Sequence, residues 1–184
     1  MRIQTETAGR SKALGLCLLN RATFPSDVRR WRELPRSWFL LQRRLRVNHV
    51  LVATTQNGKV VGSVEVHTPQ YQQKKAKGVY TPEQLAKLQP YLASLSVRED
   101  MRGRGIGRKL VEAAVEAVRS SNHTSKYMLL GVEDNNTAAV RLYEKCGFVT
   151  LSDPGCQVRL MRRQIDMQPR QRVDVQPRRV MEGL

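Results

Sequence analysis

The sequence predicts one α/β domain in which helices cover the faces of a mixed sheet of about six to seven strands. Strand-like and helix-like segments alternate along the chain. The dipeptide Asn57-Gly58 joins two β-rich runs as a hairpin turn would. A glycine-rich segment leads from a strand directly into a long amphipathic helix near residue 105. The 184 residues suit a single domain that buries most of its apolar surface.

Composition narrows the class of protein. The chain has 32 basic and 16 acidic residues, a formal charge of +16, which favours polyanions, anionic cofactors or acidic surfaces without choosing among them. No apolar run is long enough to cross a membrane and no signal-peptide pattern opens the chain, so we expect a cytoplasmic protein. Cys17, Cys146 and Cys156 lack disulfide or zinc spacing, so we expect no metal.

The sequence pattern in the first half of the chain predicts an edge strand, two helices and a hairpin. Residues 2–7 alternate in polarity as an edge strand does, and residues 11–20 carry apolar side chains at helical spacing. A second helix begins after Pro25 and is kinked or split by Pro35. The hairpin around Asn57-Gly58 follows it.

Apolar periodicity lapses between residues 68 and 90. We expect a basic loop insertion there, with a short helix after Pro82 as its one regular piece. Loops of this length inside a compact domain are usually functional or mobile. The lysines of this loop are Lys74, Lys75 and Lys77.

The second half predicts alternating strands and helices. A strand over residues 91–97 precedes a helix from about Gly105 to Arg119, and a strand from Tyr127 precedes a helix that Gly147 ends. The apolar side chains of the first helix form one face: Ile106, Leu110, Ala114, Ala117 and Val118.

The chain is expected to end in a hairpin and a tail. The hairpin covers residues 148–161. From about residue 164 the sequence is rich in Arg, Gln and Pro and poor in apolar residues, which indicates disorder. We therefore predict a domain over residues 1–163 and a basic tail over residues 164–184.

Three alternating glycines, Gly103, Gly105 and Gly107, lie between a strand and a helix. Backbone N–H groups at such a position can approach an anion, and the helix dipole favours negative charge. A Walker loop needs Ser or Thr after Gly-Lys, but Arg108 follows Gly107 here. The glycine spacing also fits a Rossmann fingerprint poorly. A pyrophosphate site and a glycine-rich turn without a ligand remain the two interpretations.

Two segments together resemble the acyl-CoA-binding core of the GNAT superfamily of N-acyltransferases. They are "LSVREDMRGRGIGRKLVEAAVEAV" and "NNTAAVRLYEKCGF". The first contains the family's Arg-x-x-Gly-x-Gly hallmark at residues 102–107, and the second matches Asn-x-x-Ala-x-x-Leu-Tyr-Glu-Lys-x-Gly-Phe. The resemblance implies a sheet with two splayed central strands and transfer of an acetyl group from acetyl-CoA to a primary amine.

The resemblance implies which residues hold acetyl-CoA. Backbone groups of the central strand would bind the pantetheine arm. The glycine-rich turn would bind the pyrophosphate, although Arg104 also fits a solvated charge. The implied set is Leu95, Ser96, Val97, Arg102, Gly103, Arg104, Gly105, Ile106, Gly107, Arg108, Lys109, Asn136 and Tyr143. Among these, the N–H of Val97 would stabilise the oxyanion.

The resemblance makes Tyr143 the general acid that protonates the departing thiolate, with a half-buried core residue as the alternative. Relatives that acetylate ribosomal proteins implicate a Glu as the base, but Gly131 stands at that position. Glu133 is two residues further on and is a possible base, or simply an exposed carboxylate. Among the histidines, His67 is the one worth testing as a base, and we read Cys146 as a packed thiol.

The acceptor is expected to be a protein N-terminal α-amine or a lysine, with a small-molecule amine as an alternative. The basic loop could select this acceptor, contact ribosomal RNA or have no role. A basic nucleic-acid-binding or ribosome-binding protein that uses the fold as a scaffold is the competing class. A weaker likeness to plastid-type members makes the chloroplast stroma the alternative location.

Overall fold

A computed structural model describes residues 4–7, 19, 48–75, 81, 87–121, 125–153 and 155–165. The predicted second helix, the piece after Pro82, Lys77 and His123 lie outside the described residues, as does the tail from residue 166, and so do the side chains of Lys74 and Lys75. Of the predicted first helix, Leu19 is described, and it is helical and buried. No helix in the described part of the chain is long and apolar enough to span a membrane.

The described residues contain seven strands, three α-helices and one 3₁₀ turn. In chain order these are β1 (Gln4–Thr7), β2 (His49–Thr54), β3 (Val60–His67), α1 (Pro69–Lys75), β4 (Tyr91–Val97), the 3₁₀ turn (Glu99–Met101), α2 (Ile106–Arg119), β5 (Tyr127–Glu133), α3 (Thr137–Lys145), β6 (Val149–Thr150) and β7 (Val158–Gln164). The strands form one sheet in the order β1-β2-β3-β4-β5-β7-β6. The β4–β5 pair is parallel and the other pairs are antiparallel, which confirms the predicted mixed sheet.

Strands β4 and β5 separate soon after they meet. Each has seven residues, but they pair only at Tyr91–Leu129 and Leu92–Leu130. Beyond these pairs β4 continues beside β3 while β5 continues beside β7. A bulge in the β3–β4 ladder accompanies the separation, and Ser94 adopts a φ of 52° there. The predicted splay of the central strands is therefore confirmed.

Alternation of side chains gives the sheet two faces. Helix α2 covers one, which we call the α2 face, and its apolar stripe is buried there as predicted, except that Ala117 is only partly buried. Side chains of this face include Val64, Val66, Leu92, Leu130 and Met161. The other face, which we call the tyrosine face, carries Glu65, His67, Tyr91, Gly131 and Leu160.

Helix α1 corrects one prediction, because it lies where the sequence analysis expected irregular loop. Its start has a local cause. Proline is favoured at the first helical position, and Pro69 occupies it. The hydroxyl of Thr68 accepts a hydrogen bond from the N–H of Tyr71, at 3.3 Å. A Thr-Pro pair is therefore the sequence signal that was overlooked.

Candidate functional site

The glycine-rich turn between β4 and α2 has a left-handed backbone at two positions. Gly103 has a φ of 74° and Gly105 a φ of 73°, a region that side chains with a Cβ rarely adopt. A Cβ at either position would have no atom within 4 Å. Backbone conformation therefore accounts for these glycines, and the surface above them is open.

The same turn presents unpaired backbone donors. The N–H of Lys109 closes the first turn of α2 on the carbonyl of Gly105, at 3.1 Å. Within the described residues, the backbone N–H groups of residues 103–108 have no acceptor. Arg102, Arg104 and Arg108 are exposed around them. Free N–H groups at a helix N-terminus with surrounding cations suit an anion such as a pyrophosphate.

Gly107 differs from the other two glycines. A Cβ there would lie 3.1 Å from Cδ2 of Leu142 in α3. The missing side chain thus lets α2 and α3 approach closely. The N–H of Gly107 is also one of the unpaired backbone donors of residues 103–108. Position 107 therefore serves both helix packing and hydrogen-bond donation.

The arginines of the turn contact nearby backbone carbonyls. Arg102 Nε donates to the carbonyl of Val97 at 3.3 Å, and Arg104 Nη2 donates to that of Asp100 at 3.4 Å. Arg98 pairs with the carboxylate of Asp100. Arg102 therefore lies against the end of β4, next to the predicted oxyanion donor.

The backbone of Val97 points away from β3. The N–H of Arg98 bonds to the carbonyl of Val61 at 2.9 Å, which makes Gly62–Val97 a pair whose own backbone groups face outward. The N–H and carbonyl of Val97 therefore face the gap that opens between β4 and β5. Ser96, in the next pair, directs its backbone to β3, and its hydroxyl lies 3.2 Å from that of Ser63. Of the predicted pantetheine-binding residues, Val97 has the expected geometry and Ser96 does not.

Tyr143 is buried in the hydrophobic core. Its ring packs edge-on against Phe148, with centroids 5.9 Å apart. Burial, with smaller contributions from Cys146 and Tyr91, raises the pKa of Tyr143 to about 12. Gly147, with a φ of 78°, ends α3 as predicted, and the N–H of Phe148 bonds to the carbonyl of Tyr143. The phenol is thus fixed and neutral, and it can donate a hydrogen bond.

Asn136 and Cys146 have clear structural roles. The side-chain oxygen of Asn136 caps α3 by accepting from the N–H of Ala139 at 3.2 Å. Its predicted contact with the cofactor would therefore use the amide NH₂. Cys146 is buried as predicted, and burial and Glu112 raise the pKa of its thiol, which makes it a poor nucleophile.

On the tyrosine face, the hydroxyl of Tyr91 occupies the space beside Gly131. A Cβ at position 131 would lie 2.6 Å from this oxygen and 3.2 Å from Cγ1 of Val158. Sequence reasoning missed Tyr91 because only the strand register brings it to Gly131. Glu133, the predicted possible base, is exposed at the end of β5, on the face that carries Gly131.

A buried polar cluster adjoins Tyr91. The carboxylate of Glu65 is buried and accepts a hydrogen bond from Asn48 Nδ2 at 2.7 Å. Nε2 of His67 lies 3.4 Å from the same carboxylate. The imidazole is 4.9 Å from the ring of Tyr71 and 6.5 Å from that of Tyr91, centroid to centroid. The sequence signal for this cluster was Glu65 itself, a charged residue inside a β-branched run.

Large apolar side chains are exposed next to Gly131. In the β5–β7 ladder Leu160 lies opposite Gly131 and Val158 opposite Glu133. The N–H of Leu151 bonds to the carbonyl of Leu160 at 2.8 Å, which places Leu151 alongside. With Val149 these side chains are between 39% and 56% exposed. They form an apolar surface at the edge of the tyrosine face.

Known proteins share this sequence pattern. The sequence profile of the Acetyltransferase (GNAT) family matches residues 16–148. N-alpha-acetyltransferase 30 of Saccharomyces cerevisiae is 37% identical over 70 residues, which are 38% of this chain and 39% of the relative. The Schizosaccharomyces pombe protein of the same name is 34% identical over 61 residues, 33% of this chain and 39% of the relative. The chain thus matches well under half the length of these curated relatives.

Solved structures share the fold at low identity. The PaiA N-acetyltransferase of Thermoplasma acidophilum, solved with coenzyme A, has a TM-score of 0.66 at 14% identity and covers 89% of this chain and 99% of that one. The yncA protein of Salmonella typhimurium, solved with its cofactor acetyl-CoA, has a TM-score of 0.65 at 18% identity, with coverages of 92% and 98%. The splayed sheet and glycine turn described above, together with a family profile that covers most of the sequence, show that this chain belongs to the GNAT family of acetyltransferases.

Proposed function

We propose that this protein transfers the acetyl group of acetyl-CoA to the α-amino group of a protein N-terminus. One observation carries the proposal. The gap between β4 and β5 has the open donor turn beyond the end of β4, and the hydroxyl of Tyr91 lies beside Gly131 where the two strands part. Tyr143 is buried in the core cluster that contains Leu92 and Leu130, the residues of the last β4–β5 pair. This arrangement suits a thioester held between a group that faces its sulfur and a group that faces an incoming amine.

The donor half of the site is held by backbone groups. Arg102 and the N–H groups of residues 103–108 would bind the pyrophosphate, and the outward-facing backbone of Val97 would bind the pantetheine arm. Val97 lies six residues along β4 from Tyr91, about 20 Å at the rise of an extended strand, so the oxyanion role that the resemblance implies for its N–H does not fit an amine oriented by Tyr91. Acetyl-CoA supplies an acyl thioester, a carbonyl that an amine can attack. The open space above Gly103 and Gly105 and the unpaired N–H groups support this assignment.

Tyr143 would stabilise the departing thiolate as a hydrogen-bond donor. Its pKa of about 12 lies well above the value near 8.5 of an ordinary thiol. Full proton transfer from this phenol to a thiolate is therefore unfavourable, while a charge-assisted hydrogen bond is not. We therefore assign Tyr143 the role of a fixed hydrogen-bond donor in place of the general acid that the resemblance implies.

The acceptor amine would approach from the tyrosine face. At pH 7 about a tenth of α-amino groups are neutral, but fewer than about one in a thousand lysine side chains are. A site with a glycine where relatives have a carboxylate therefore favours α-amines. The hydroxyl oxygen of Tyr91 would accept the amine N–H and orient its lone pair. Glu133 remains the candidate for taking the released proton.

Two observations favour a peptide as the acceptor. Leu151, Val158 and Leu160 offer an apolar surface beside Gly131, which suits an apolar side chain better than a polycationic small amine. The partial matches to yeast N-alpha-acetyltransferase 30 point to the same class.

The test is an acetylation assay with the purified protein, radiolabelled acetyl-CoA and three acceptors. These are a peptide with a free N-terminus and an apolar second residue, the same peptide with a blocked N-terminus and an added lysine, and spermidine. We expect the first to have the highest kcat/KM by tenfold or more, about the ratio that one apolar contact can supply. Faster turnover of the blocked peptide or of spermidine would contradict the proposed acceptor.

A further inference from the structure

We infer that His67, held by Glu65, is a positioning residue that fixes the hydroxyl of Tyr91 beside Gly131. The inference rests on the proposed role of Tyr91 in orienting the amine. His67 and Tyr91 lie directly opposite each other in the β3–β4 register, on the tyrosine face. The chain of contacts runs from Asn48 through Glu65 and His67 to Tyr91.

Glu65 is the buried group at the start of this series of contacts. It is only 4% exposed, and burying a carboxylate costs several kcal/mol unless it is compensated. On β2, its neighbours on the same face are the aliphatic Val50 and Val52, so packing alone does not require a charge here. The bond from Asn48 Nδ2 directs one carboxylate oxygen, and this is the oxygen that lies 3.4 Å from His67 Nε2. A buried carboxylate placed against an imidazole orients that imidazole.

His67 joins this buried group to the reacting end of the site. Its Nε2 is buried and has no hydrogen bond to the described part of the chain, and the carboxylate of Glu65 lies 3.4 Å from it. The imidazole is tilted at 48° to Tyr71 and stacks at 25° on Tyr91. The ring therefore packs against both phenols, and its angle limits the rotation of Tyr91.

The backbone around the stack is also held. Gln72 Nε2 donates to the carbonyl of His67 at 3.1 Å and to that of Gln89 at 2.7 Å. Helix α1 thereby ties the end of β3 to the segment that enters β4. With both strand ends fixed, the position of the Tyr91 hydroxyl is set by its side-chain torsions and hence by the imidazole beside it.

The test is a double-mutant cycle on the full chain, with His67→Ala and Tyr91→Phe, read as kcat with the best peptide and as the Kd of acetyl-CoA. We expect His67→Ala to lower kcat by about tenfold, within the range measured for coupled neighbours, and to leave the Kd within twofold. In the Tyr91→Phe background His67→Ala should have no further effect. An equal loss in that background, or an unchanged kcat in the single variant, would overturn the inference.

Two further variants guard against a general folding defect. His67→Phe keeps a ring against Tyr91 but loses the contact with Glu65, so it should recover only part of the kcat lost in His67→Ala. Glu65→Gln is isosteric and should lower kcat about threefold in wild-type protein and not in Tyr91→Phe. Failure of both expectations would overturn the positioning role. If wild-type protein acetylates no N-terminal peptide at all, the proposed function fails instead, so the two failures can be told apart.

Discussion

At the scale of single residues, the proposed catalytic residue Tyr143 should also make the free energy of unfolding depend on pH. Its phenol is 7% exposed, and burial raises its pKa to about 12, whereas the unfolded chain titrates near 10. The folded state therefore keeps a proton that the unfolded state loses between these values. The free energy of unfolding should consequently fall as pH rises from 10 to 12.

This prediction is tested with Tyr143→Phe. The shift corresponds to about 3 kcal/mol of stability, fully present below pH 10 and lost by pH 12, and the variant lacks it. Urea unfolding of both proteins between pH 9 and 12 should show the steeper decline in wild-type protein. If the free energies of unfolding of the two proteins declined in parallel with pH, the raised pKa of Tyr143 would be contradicted. At pH 8 the variant should also lose about 100-fold in kcat, with little change in the Kd of acetyl-CoA.

A second residue-scale prediction uses two glycines with the same backbone. Gly105 and Gly58 have φ values of 73° and 72°, but Gly58 lies in the β2–β3 turn. Leucine at either position should cost about 1–2 kcal/mol of stability because of left-handed strain. Only Gly105→Leu should raise the Kd of acetyl-CoA, by tenfold or more, because its side chain enters the space left for the phosphates. Calorimetric titration of both variants measures the Kd. Equal Kd values would contradict the proposal that the glycine-rich turn binds the phosphates of acetyl-CoA.

At the scale of elements, helix α2 is set against the sheet by Gly62 and against α3 by Gly107. A Cβ at Gly62 would lie 2.9 Å from Cδ1 of Leu110 and 3.2 Å from the backbone oxygen of Ser96. At Gly107 the short contact is one flexible Leu142 methyl, at 3.1 Å. A Cβ at Gly107 can be accommodated by movement of one side chain, whereas a Cβ at Gly62 would also press on a backbone atom that cannot move easily.

Alanine substitutions should reveal that difference. Gly62→Ala should lower the free energy of unfolding by about 1–3 kcal/mol through overpacking against a backbone atom. Gly107→Ala should be nearly neutral, because a gain in helix propensity of about 1 kcal/mol offsets its milder contact. Urea unfolding at pH 7 measures both. A greater loss in Gly107→Ala would mean that α3 is packed more rigidly than α2 on the sheet.

At the scale of the whole molecule, the charge of +16 favours anionic ligands. Arg102, Arg104, Arg108 and Lys109 place part of it in exposed positions around the donor turn. Because the screening length falls from about 10 Å at 0.1 M salt to about 3 Å at 1 M, acetyl-CoA affinity should fall as salt rises. Arg108→Glu should flatten this dependence, as titrations at several salt concentrations can show.

The same titration addresses the competing whole-molecule function. A scaffold that only binds nucleic acid would show no acetyl-CoA binding at low salt and a steep salt slope with RNA. Micromolar binding of acetyl-CoA at low salt, with no comparable RNA binding, would favour the enzyme. Replacing Lys74, Lys75 and Lys77 with alanine leaves Gln72 in place and tests whether turnover or ribosome association depends on these lysines.

The sequence predicted most of the described elements in their order and the glycine turn before α2, because local rules govern both. Positive φ at Gly58, Gly103 and Gly105 and the capping pattern around α3 depend on residues near in sequence. Helix α1 was not predicted, although the Thr68-Pro69 pair at its N-terminus is also a local signal. The partners of Tyr91 could not be found in this way, because strand register alone places it beside Gly131 and opposite His67. Burial of Tyr143 likewise required the packed core, and it raises the pKa of the phenol to about 12. Tertiary structure therefore decided the surroundings of Tyr91, because these groups come together only through pairing and packing of distant segments.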